Sequence, residues 1–586
     1  MPMRWSIAPH DRSIIGRITR ETRCSPLLAQ VLAARGCRSG EEAKQFLSVE
    51  INDLLDPNLL PGVSEAADRI VAAIKSERRI TVYGDYDVDG VSATSILWHC
   101  LKLSGARVDY YIPCRLEEGY GLNADAVRQL HEDDPDRLLV TVDCGIASLD
   151  EAQLATQLGL ELIVTDHHTF AESLPEASCL VHPRLPGSDY PFGDLCGAGV
   201  AFKLAWAVCQ RLGDGERASP AMREFLKSAV GLAALGTVAD VVPLKGENRI
   251  IVRYGLGALR GMPIAGLPTL LDVAGLRDKP ELTAEDIGFG LAPRINAAGR
   301  LGQARLAVEL LTTDNRERAA QLADYVDQLN KSRQTVERKI FRQAKELVAE
   351  HDSWADDPAL VLAHNEWHPG VIGIVAGRIA EHFGRPAVMI ALNEQQQVGQ
   401  GSGRSFNGLN LHEAVSACRD HLEGFGGHHA AVGLRIRGDA VDAFRRSLAE
   451  FVSGPDSEPA DAPLLRVDAE VHLADLTHRA VKELEQLGPF GCEHERPRFV
   501  ASGVQLTEPA RRMGGGDRHL SIRVRQGEKI LRCVAFGKGD WADELDQAAD
   551  GISICFSPNL NHFNGYESVE LRLHDWAPAE QSASSP

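Results

Sequence analysis

A series of short apolar runs between residues 79 and 166 most constrains the possible fold of this chain. The runs are RITVYG, RVDYYIP, RLLVTVDCG and LELIVTD, and they alternate with helix-forming segments such as VSATSILWHCLKLSG. Strands that are apolar throughout need cover on both faces, and β-branched runs separated by helices are typical of a parallel sheet. This region is therefore predicted to be an α/β domain with helices on both sides of its sheet.

The rest of the pattern predicts a multidomain α/β protein, because 586 residues exceed the usual size of one domain. A continuous amphipathic pattern predicts one connecting helix of about 35 residues between two α/β domains. Period-two alternation near the end predicts an all-β barrel, with an OB-fold as the first choice. The predicted regions are an N-terminal helical segment (1–60), the first α/β domain (61–310), the connecting helix (311–352), the second α/β domain (353–453), the OB-like barrel (464–576) and a disordered tail (577–586).

Composition narrows the class of protein. No run of about 20 apolar residues occurs, so no membrane-spanning helix is expected. The 12 cysteines show no CxxC pair, which favours reduced thiols and a cytoplasmic location. The net charge of −20 argues against a nucleic-acid-binding protein unless basic residues are concentrated locally.

Acidic residues and histidines follow the ends of the apolar runs. Ligands of open α/β sheets bind beyond the carboxyl ends of the strands, so these side chains are expected to converge. Oxygen ligands with an imidazole and no thiolate suit Mn²⁺ or Mg²⁺, and this many carboxylates predict two ions roughly 3.5–4 Å apart. The acids and histidines in question are Asp85, Asp87 and Asp89 in DYDVDG, Asp143 in VDCG, Asp166, His167 and His168 in DHH, and Asp240 in TVADVVPL. Asp87, Asp89, Asp143 and His167 are the ones expected to converge on one edge of the sheet.

DYDVDG by itself has two other interpretations. An EF-hand calcium loop begins in this way, but it needs a glutamate at its twelfth position, and Ile96 stands there. A structural turn with capping aspartates remains open for this segment alone.

The four motifs DYDVDG, VDCG, DHH and TVADVVPL resemble, in order and spacing, those of the DHH phosphoesterase superfamily. GSGRS (401–405) and GGHHAAVGL (426–434) resemble its associated C-terminal domain. The layout, with LCGAGVAFKL and LAPRINAAGRLG, resembles the bacterial exonuclease branch over nearly the whole chain. The resemblance implies a processive 5′→3′ exonuclease of recombination and repair that releases 5′-mononucleotides from single-stranded DNA. A single-stranded-DNA-binding protein and a recombination helicase are the implied partners, and a monomer is expected.

The resemblance also implies roles for the metal-site residues. Asp87 and Asp89 correspond to ligands of two different ions, and Asp143 to a carboxylate that bridges them. His167 and Asp240 correspond to ligands of the second ion. Asp85 stands near a position where relatives with small substrates have a histidine, and it is included as a further ligand.

Two residues of the DHH motif have roles outside the metal ligands. His168 is similar to the family residue that faces the scissile phosphate. That residue either donates a hydrogen bond to the phosphate or supports the metal ligands from outside their first layer. The alternative is a ring that orients His167. Asp166 is expected to be structural, at the end of its strand.

GSGRS is predicted to be a glycine-rich loop in which backbone N–H groups, Ser402 and Arg404 hold a phosphate. An ordinary turn is the alternative. The resemblance implies that the 5′-phosphate end of the substrate docks here, with Arg115 and Arg300 assisting, and that His428 contacts the substrate.

Basic residues are concentrated in two regions despite the acidic total. Lys331, Arg338, Arg342 and Lys345 share one face of the long helix, and residues 508–538 hold eight basic against three acidic residues. The aromatic residues proposed for base stacking are Phe536, Phe556, Phe563 and Tyr566. Ordinary solvated faces and core aromatics are the alternative.

Two competing functions make different demands on the sequence. A superfamily enzyme acting on pyrophosphate, short oligonucleotides or cyclic dinucleotides would not need the β-domain that follows residue 463. A non-catalytic scaffold would not need every acid and histidine of the four motifs, and all are present.

Overall fold

The computed structural model describes residues 4–578, without residues 116, 171–172, 215–216, 352–353, 355, 394–396, 455–463, 549–550 and 564–565 and without the side chains of 562 and 563. Residues 51–460 form one compact unit, and residues 1–50 with 461–586 form another. Within the described ranges, no helix has the length and apolarity needed to cross a bilayer.

The strands are numbered in chain order, and the helices are given by their bounds. The strands are β1 (Arg4–Ile7), β2 (Arg79–Gly84), β3 (Arg107–Tyr111), β4 (Leu138–Val142), β5 (Glu161–Thr165), β6 (Cys179–Val181), β7 (Leu360–His364), β8 (Ala387–Asn393), β9 (Val398–Arg404), β10 (Leu422–His428), β11 (Ala431–Arg437), β12 (Leu464–Val467), β13 (Ala469–Glu470), β14 (Phe499–Leu506), β15 (Arg511–Met513), β16 (His519–Gln526), β17 (Lys529–Ala535), β18 (Ile552–Phe563) and β19 (Tyr566–Pro578). The α-helices are Arg12–Thr22, Pro26–Ala34, Gly40–Leu47, Val63–Lys75, Val88–Leu103, Ala124–Asp133, Leu149–Gln157, Gly197–Leu212, Pro220–Ala239, Gly246–Gly261, Gly266–Val273, Ala292–Arg300, Ala304–Thr312, Arg316–Glu350, Pro369–Phe383, Leu411–Ala417, Val441–Ser453, His478–Leu484 and Trp541–Gln547.

The first sheet of the unit 51–460 is parallel, as predicted. Its order is β3-β2-β4-β5-β6, and every pairing in it is parallel. Strand β4 is buried along its whole length, as cover on both faces requires. The sequence pattern did not reveal β6, because its three residues are too few for a recognisable period. The carboxyl ends of all these strands lie on one edge.

The predicted connecting helix is present as Arg316–Glu350, and Asn315 caps it by accepting from the N–H groups of Glu317 and Arg318. The second sheet follows it in the order β10-β11-β9-β8-β7. Only the β7–β8 pairing of this sheet is parallel.

The prediction that GSGRS forms a loop whose backbone N–H groups hold a phosphate is wrong. These residues lie on β9 and the turn after it, and β9 pairs with β8 on one side and with β11 on the other. Its backbone N–H groups therefore belong to the ladders and cannot cradle a phosphate. The glycines serve packing, since a Cβ atom on Gly401 would lie 2.5 Å from Leu434 Cδ1.

The C-terminal region contains the predicted OB barrel. Strands run in the order β13-β14-β18-β19-β17-β16-β15, and a β14–β16 pairing closes five of them into a barrel. The β17–β19 pair is parallel, as this topology demands. Helices of residues 1–50 pack into the same core, where Leu28 and Leu32 join Phe499. The sequence pattern contained no sign of this packing.

The stacking candidates of the barrel divide into three groups. Tyr566 is 81% exposed and Phe536 is 58% exposed. Phe556 is fully buried in the core, so its prediction as a stacking residue is wrong. The side chain of Phe563 and residues 579–586 of the predicted tail lie outside the described part of the chain, and β19 extends to Pro578.

Glu77 offers a test of local backbone strain. It follows the helix Val63–Lys75 with a φ of 57°, a left-handed conformation that favours glycine. Glu77→Gly is expected to stabilise the unit by about 1 kcal/mol, measured by differential scanning calorimetry. Lys75→Gly, in the last helical turn, is the control and should destabilise it by a similar amount. A lower melting temperature for Glu77→Gly would contradict this account.

Candidate active site

The first two carboxylates of the site stand at the start of the helix Val88–Leu103. Asp87 caps this helix, and its Oδ1 accepts hydrogen bonds from the N–H groups of Asp89 (2.8 Å) and Gly90 (3.2 Å). Asp89 is buried, and its two oxygens accept from the N–H groups of Gly197 (2.6 Å) and Ala198 (2.9 Å). The beginning of the helix Gly197–Leu212 thus fixes this carboxylate.

His167, after β5, lies among three carboxylates. Its Nε2 atom is 3.2 Å from Asp143 Oδ1, 3.6 Å from Asp240 Oδ2 and 3.7 Å from Asp89 Oδ2. Asp240 is brought here as the C-terminal cap of the helix Pro220–Ala239. These four side chains come from four separate elements, and ligand atoms of Asp89, His167 and Asp240 lie within 4.8 Å of one another.

A second group shares one residue with the first. Ligand atoms of Asp85, Asp87 and Asp143 lie within 4.8 Å of one another. Asp143 follows β4 with a φ of 62°, which is unusual for a residue other than glycine. The structure therefore brings together all six residues predicted to bind metal. His168 joins Asp143 and His167 in a further group, so that Asp143 belongs to two of the ligand groups.

The electrostatics of these ligand groups suit a divalent cation. Burial and neighbouring carboxylates raise the pKa of Asp143 and of Asp85 well above the ordinary range, and burial with Asp89 and Asp87 raises the pKa of Asp240 to about 8. Buried Asp85 Oδ1, Asp143 Oδ1 and His167 Nε2 have no hydrogen-bond partner among the described residues. Unpartnered buried polar atoms are rare in proteins, so the residues fit divalent metal ions.

The ring of His168 lies within hydrogen-bond distance of two side chains, Asp166 and Tyr120. His168 Nδ1 lies 2.8 Å from Asp166 Oδ1 and 2.9 Å from the hydroxyl of Tyr120. Burial opposes it, but the hydrogen bond and charge of Asp166 raise the pKa of His168 to about 9. Burial and the neighbouring His168 lower the pKa of His167 to about 4. The two adjacent rings are thus suited to different tasks, one as a neutral ligand and one as a charged donor. No pattern in the sequence had singled out Tyr120.

Asp166 also accepts backbone hydrogen bonds. They come from the N–H groups of Ile146 (2.9 Å), His167 (2.7 Å) and His168 (3.1 Å). Burial alone would raise the pKa of Asp166, but the hydrogen bond and charge of His168 and the N–H group of Ile146 lower it to about 2. Asp166 therefore holds the loop after β5 in place.

The predicted phosphate-binding residues lie in the same compact unit. Arg404 Nη1 donates to Ser402 Oγ (3.1 Å) and to its neighbour's carbonyl, and Arg300 Nη1 donates to Gly370 O (3.3 Å). The Arg115 guanidinium stacks 4.9 Å from the centroid of the Tyr86 ring. In the part of the chain that the structure describes, none of these three arginines has a carboxylate within 4 Å.

These cations influence one another. Burial and the charges of Arg115, Arg333 and Arg404 lower the pKa of Arg300 to about 10. Burial and Arg115 lower the pKa of Arg404, and burial and Arg404 lower that of His428. Like charges held together without a carboxylate suit an anion, and a phosphate matches the geometry of guanidinium groups.

Comparison with known proteins agrees with this arrangement. Family models match the DHH family N-terminal domain at residues 79–237, the DHHA1 domain at 356–454 and the RecJ OB domain at 467–575. The single-stranded-DNA-specific exonuclease RecJ of Bacillus subtilis (strain 168) is 39% identical over 578 residues, which cover 99% of this chain and 71% of the relative. The protein of the same name from Dickeya dadantii (strain 3937) is 36% identical, over 94% of this chain and 96% of its own.

Solved structures show the same similarity. RecJ from Thermus thermophilus in complex with Mn²⁺ is 32% identical and has a TM-score of 0.81, covering 98% of this chain and 79% of that chain. The complex of that protein with Mg²⁺ is 30% identical and has a TM-score of 0.75, covering 98% and 78%. With all three domains matched and 36% identity over nearly the full length of a relative, the chain belongs to the RecJ family of DHH phosphoesterases.

Proposed function

We propose that this protein is a 5′→3′ exonuclease specific for single-stranded DNA, which releases 5′-mononucleotides in recombination and repair. One observation carries the proposal: two ligand groups share Asp143, and arginines without carboxylate partners lie in the same unit. A hydrolytic centre and an anion site suit a phosphodiester chain with a terminal phosphate. The names of the relatives supply the substrate.

The ligand set assigns the residues as follows. Asp85 and Asp87 would hold one Mn²⁺ or Mg²⁺ ion, and Asp143 would contact both ions. Asp89, His167 and Asp240 would hold the other ion. When bound, such ions lower the pKa of water and neutralise charge on phosphoryl oxygens.

The other side chains handle the substrate. The charged ring of His168, held by Asp166, would donate a hydrogen bond to an oxygen of the scissile phosphate and stabilise the negative charge that develops there. Arg115, Arg300, Ser402 and Arg404 would hold the 5′-terminal phosphate, and His428 would contact the strand beside it. Holding the end of the strand fixes the position of the first linkage.

The barrel favours a long substrate over the cyclic dinucleotides or short oligonucleotides of the alternative. Exposed Phe536 and Tyr566 suit base stacking, and basic residues lie on the same domain. We further propose that the protein acts as a monomer in the cytoplasm, where its free cysteines would stay reduced. Its partners would be a single-stranded-DNA-binding protein and a recombination helicase.

Asp143→Ala should abolish hydrolysis of labelled single-stranded DNA, as should EDTA, because both ions would lose their shared ligand. Without metal, the melting temperature of the variant should be no lower than that of the metal-free wild-type protein, since the change removes one carboxylate from a group of buried carboxylates that repel one another. Asp150→Ala, an exposed aspartate on a nearby helix, is the control and should keep full activity. A folded Asp143→Ala protein retaining more than about a tenth of the rate would refute the two-ion assignment.

A protein comprising residues 51–460 should hydrolyse short oligonucleotides but bind long single strands weakly. Removing residues 1–50 together with the barrel avoids exposing the core that they share. Its affinity should depend less steeply on salt, by about 0.7 in the log–log slope per lost phosphate contact. Equal salt slopes for the two proteins would show that the barrel makes no phosphate contacts.

Arg404→Ala should raise KM about tenfold for 5′-phosphorylated strands and reduce the preference for them over 5′-hydroxyl strands. Arg404→Lys should recover only part of the loss, because lysine cannot make two parallel hydrogen bonds to a phosphate. Arg435→Ala is the control, since Arg435 is exposed on the neighbouring strand β11 and pairs with Glu423. Equal loss for both kinds of end would place end selection elsewhere, at Arg115 or Arg300.

A further inference from the structure

A fourth arginine, Arg333, lies on the long helix Arg316–Glu350 in an unusual setting. Its side chain is only 11% exposed, although it is charged. Asn330 Oδ1 accepts from its Nε (3.2 Å) and its Nη2 (2.9 Å), and Glu337 Oε2 accepts from its Nη1 (2.9 Å). Neighbours one turn away on either side therefore clamp the guanidinium.

The clamp leaves part of the guanidinium free. The group has five N–H donors, and three of them are used by Asn330 and Glu337. Each of the two Nη atoms keeps one donor that has no partner among the described residues. Two donors on neighbouring nitrogens match two oxygens of a phosphate.

The charges around Arg333 do not balance. Glu337 is shared, because its Oε1 accepts from Arg378 Nη1 at 2.7 Å. One carboxylate therefore serves two arginines. The helix Ala292–Arg300, which ends in the arginine cluster, packs on this long helix, and the charge of Arg333 acts on Arg300. Positive charge thus extends from the predicted terminal-phosphate site onto the long helix.

We propose that Arg333 binds a backbone phosphate next to the terminal one, and that Asn330 and Glu337 are positioning residues that hold its guanidinium in place. The inference rests on the proposed function, since it needs a single strand in the site. A second fixed phosphate would keep the strand from shifting by one nucleotide relative to the metal ligands. Binding this phosphate would also cost little side-chain entropy, because Asn330 and Glu337 already hold the Arg333 side chain in place.

The test measures binding of 5′-phosphorylated single strands to the full-length protein in EDTA, where no cleavage is expected. Each strand carries one uncharged methylphosphonate linkage, placed in turn at the first six positions. Arg333→Gln should weaken binding of the unmodified strand about tenfold. At one linkage, replacing the phosphate by a methylphosphonate should then no longer weaken binding to the variant. The other linkages should respond as in the wild-type protein.

Two variants separate direct contact from a structural effect. Arg318→Gln removes an arginine of the same helix that pairs with Glu309, and it should leave the profile of linkages unchanged. Arg378→Gln removes the other partner of Glu337 and should leave the same linkage sensitive. If Arg378→Gln abolished the sensitivity of that linkage, Arg333 would act only through the network, and the proposal would fail.

The remaining outcomes are also decisive. Should Arg333→Gln not fold, Arg333→Lys keeps the charge and should lose part of the sensitivity at one linkage only. A wild-type profile in whichever of the two variants folds would overturn the proposal. The proposed function is tested separately, because it fails if the wild-type protein does not degrade single-stranded DNA in Mn²⁺.

Discussion

Mutual repulsion among the buried carboxylates around Asp143 is the constraint on which the rest of the site depends. Burial and neighbouring acids raise the pKa of Asp143, Asp85 and Asp240, and Asp85 Oδ1 and Asp143 Oδ1 have no donor within the described part of the chain. Such a group stays ionised near neutral pH only if cations neutralise it, because unpaired buried charges are strongly unfavourable. By holding these carboxylates together near the carboxyl ends of the parallel strands, the fold favours the binding of divalent ions.

Close packing keeps these carboxylates at short range. A Cβ atom on Gly197 would lie 2.3 Å from Asp143 Oδ1, and one on Gly236 would lie 2.3 Å from Asp89 Oδ1. The same segment that makes room at Gly197 also donates its N–H group to Asp89. Two motifs more than 100 residues apart therefore act together. The start of one helix donates hydrogen bonds to the carboxylate of Asp89, and the absence of a side chain at Gly197 leaves room for Asp143.

The protein combines an acidic total with a local excess of positive charge. Its net charge is −20, yet Arg115, Arg300 and Arg404 lack carboxylate partners among the residues described. The acidic groups at the strand ends suit the metal ions of a substrate complex, and the arginines suit its phosphates. Global charge was thus a poor guide to the ligand, because electrostatic interactions of buried groups are decided over a few ångströms.

The sequence by itself determined the parallel sheet, the long helix, the OB barrel and the chemistry of the strand ends. These features follow from periodicity and from residue types within short windows, so Asp87, Asp143 and His167 could be predicted to converge. Only the tertiary structure decided that GSGRS lies in a strand, that Phe556 belongs to the core and that residues 1–50 pack with the barrel. It also decided that Gly197 holds Asp89 and that Arg333 extends the arginine cluster. These depend on contacts between distant segments, which side-chain packing selects and which no local pattern encodes.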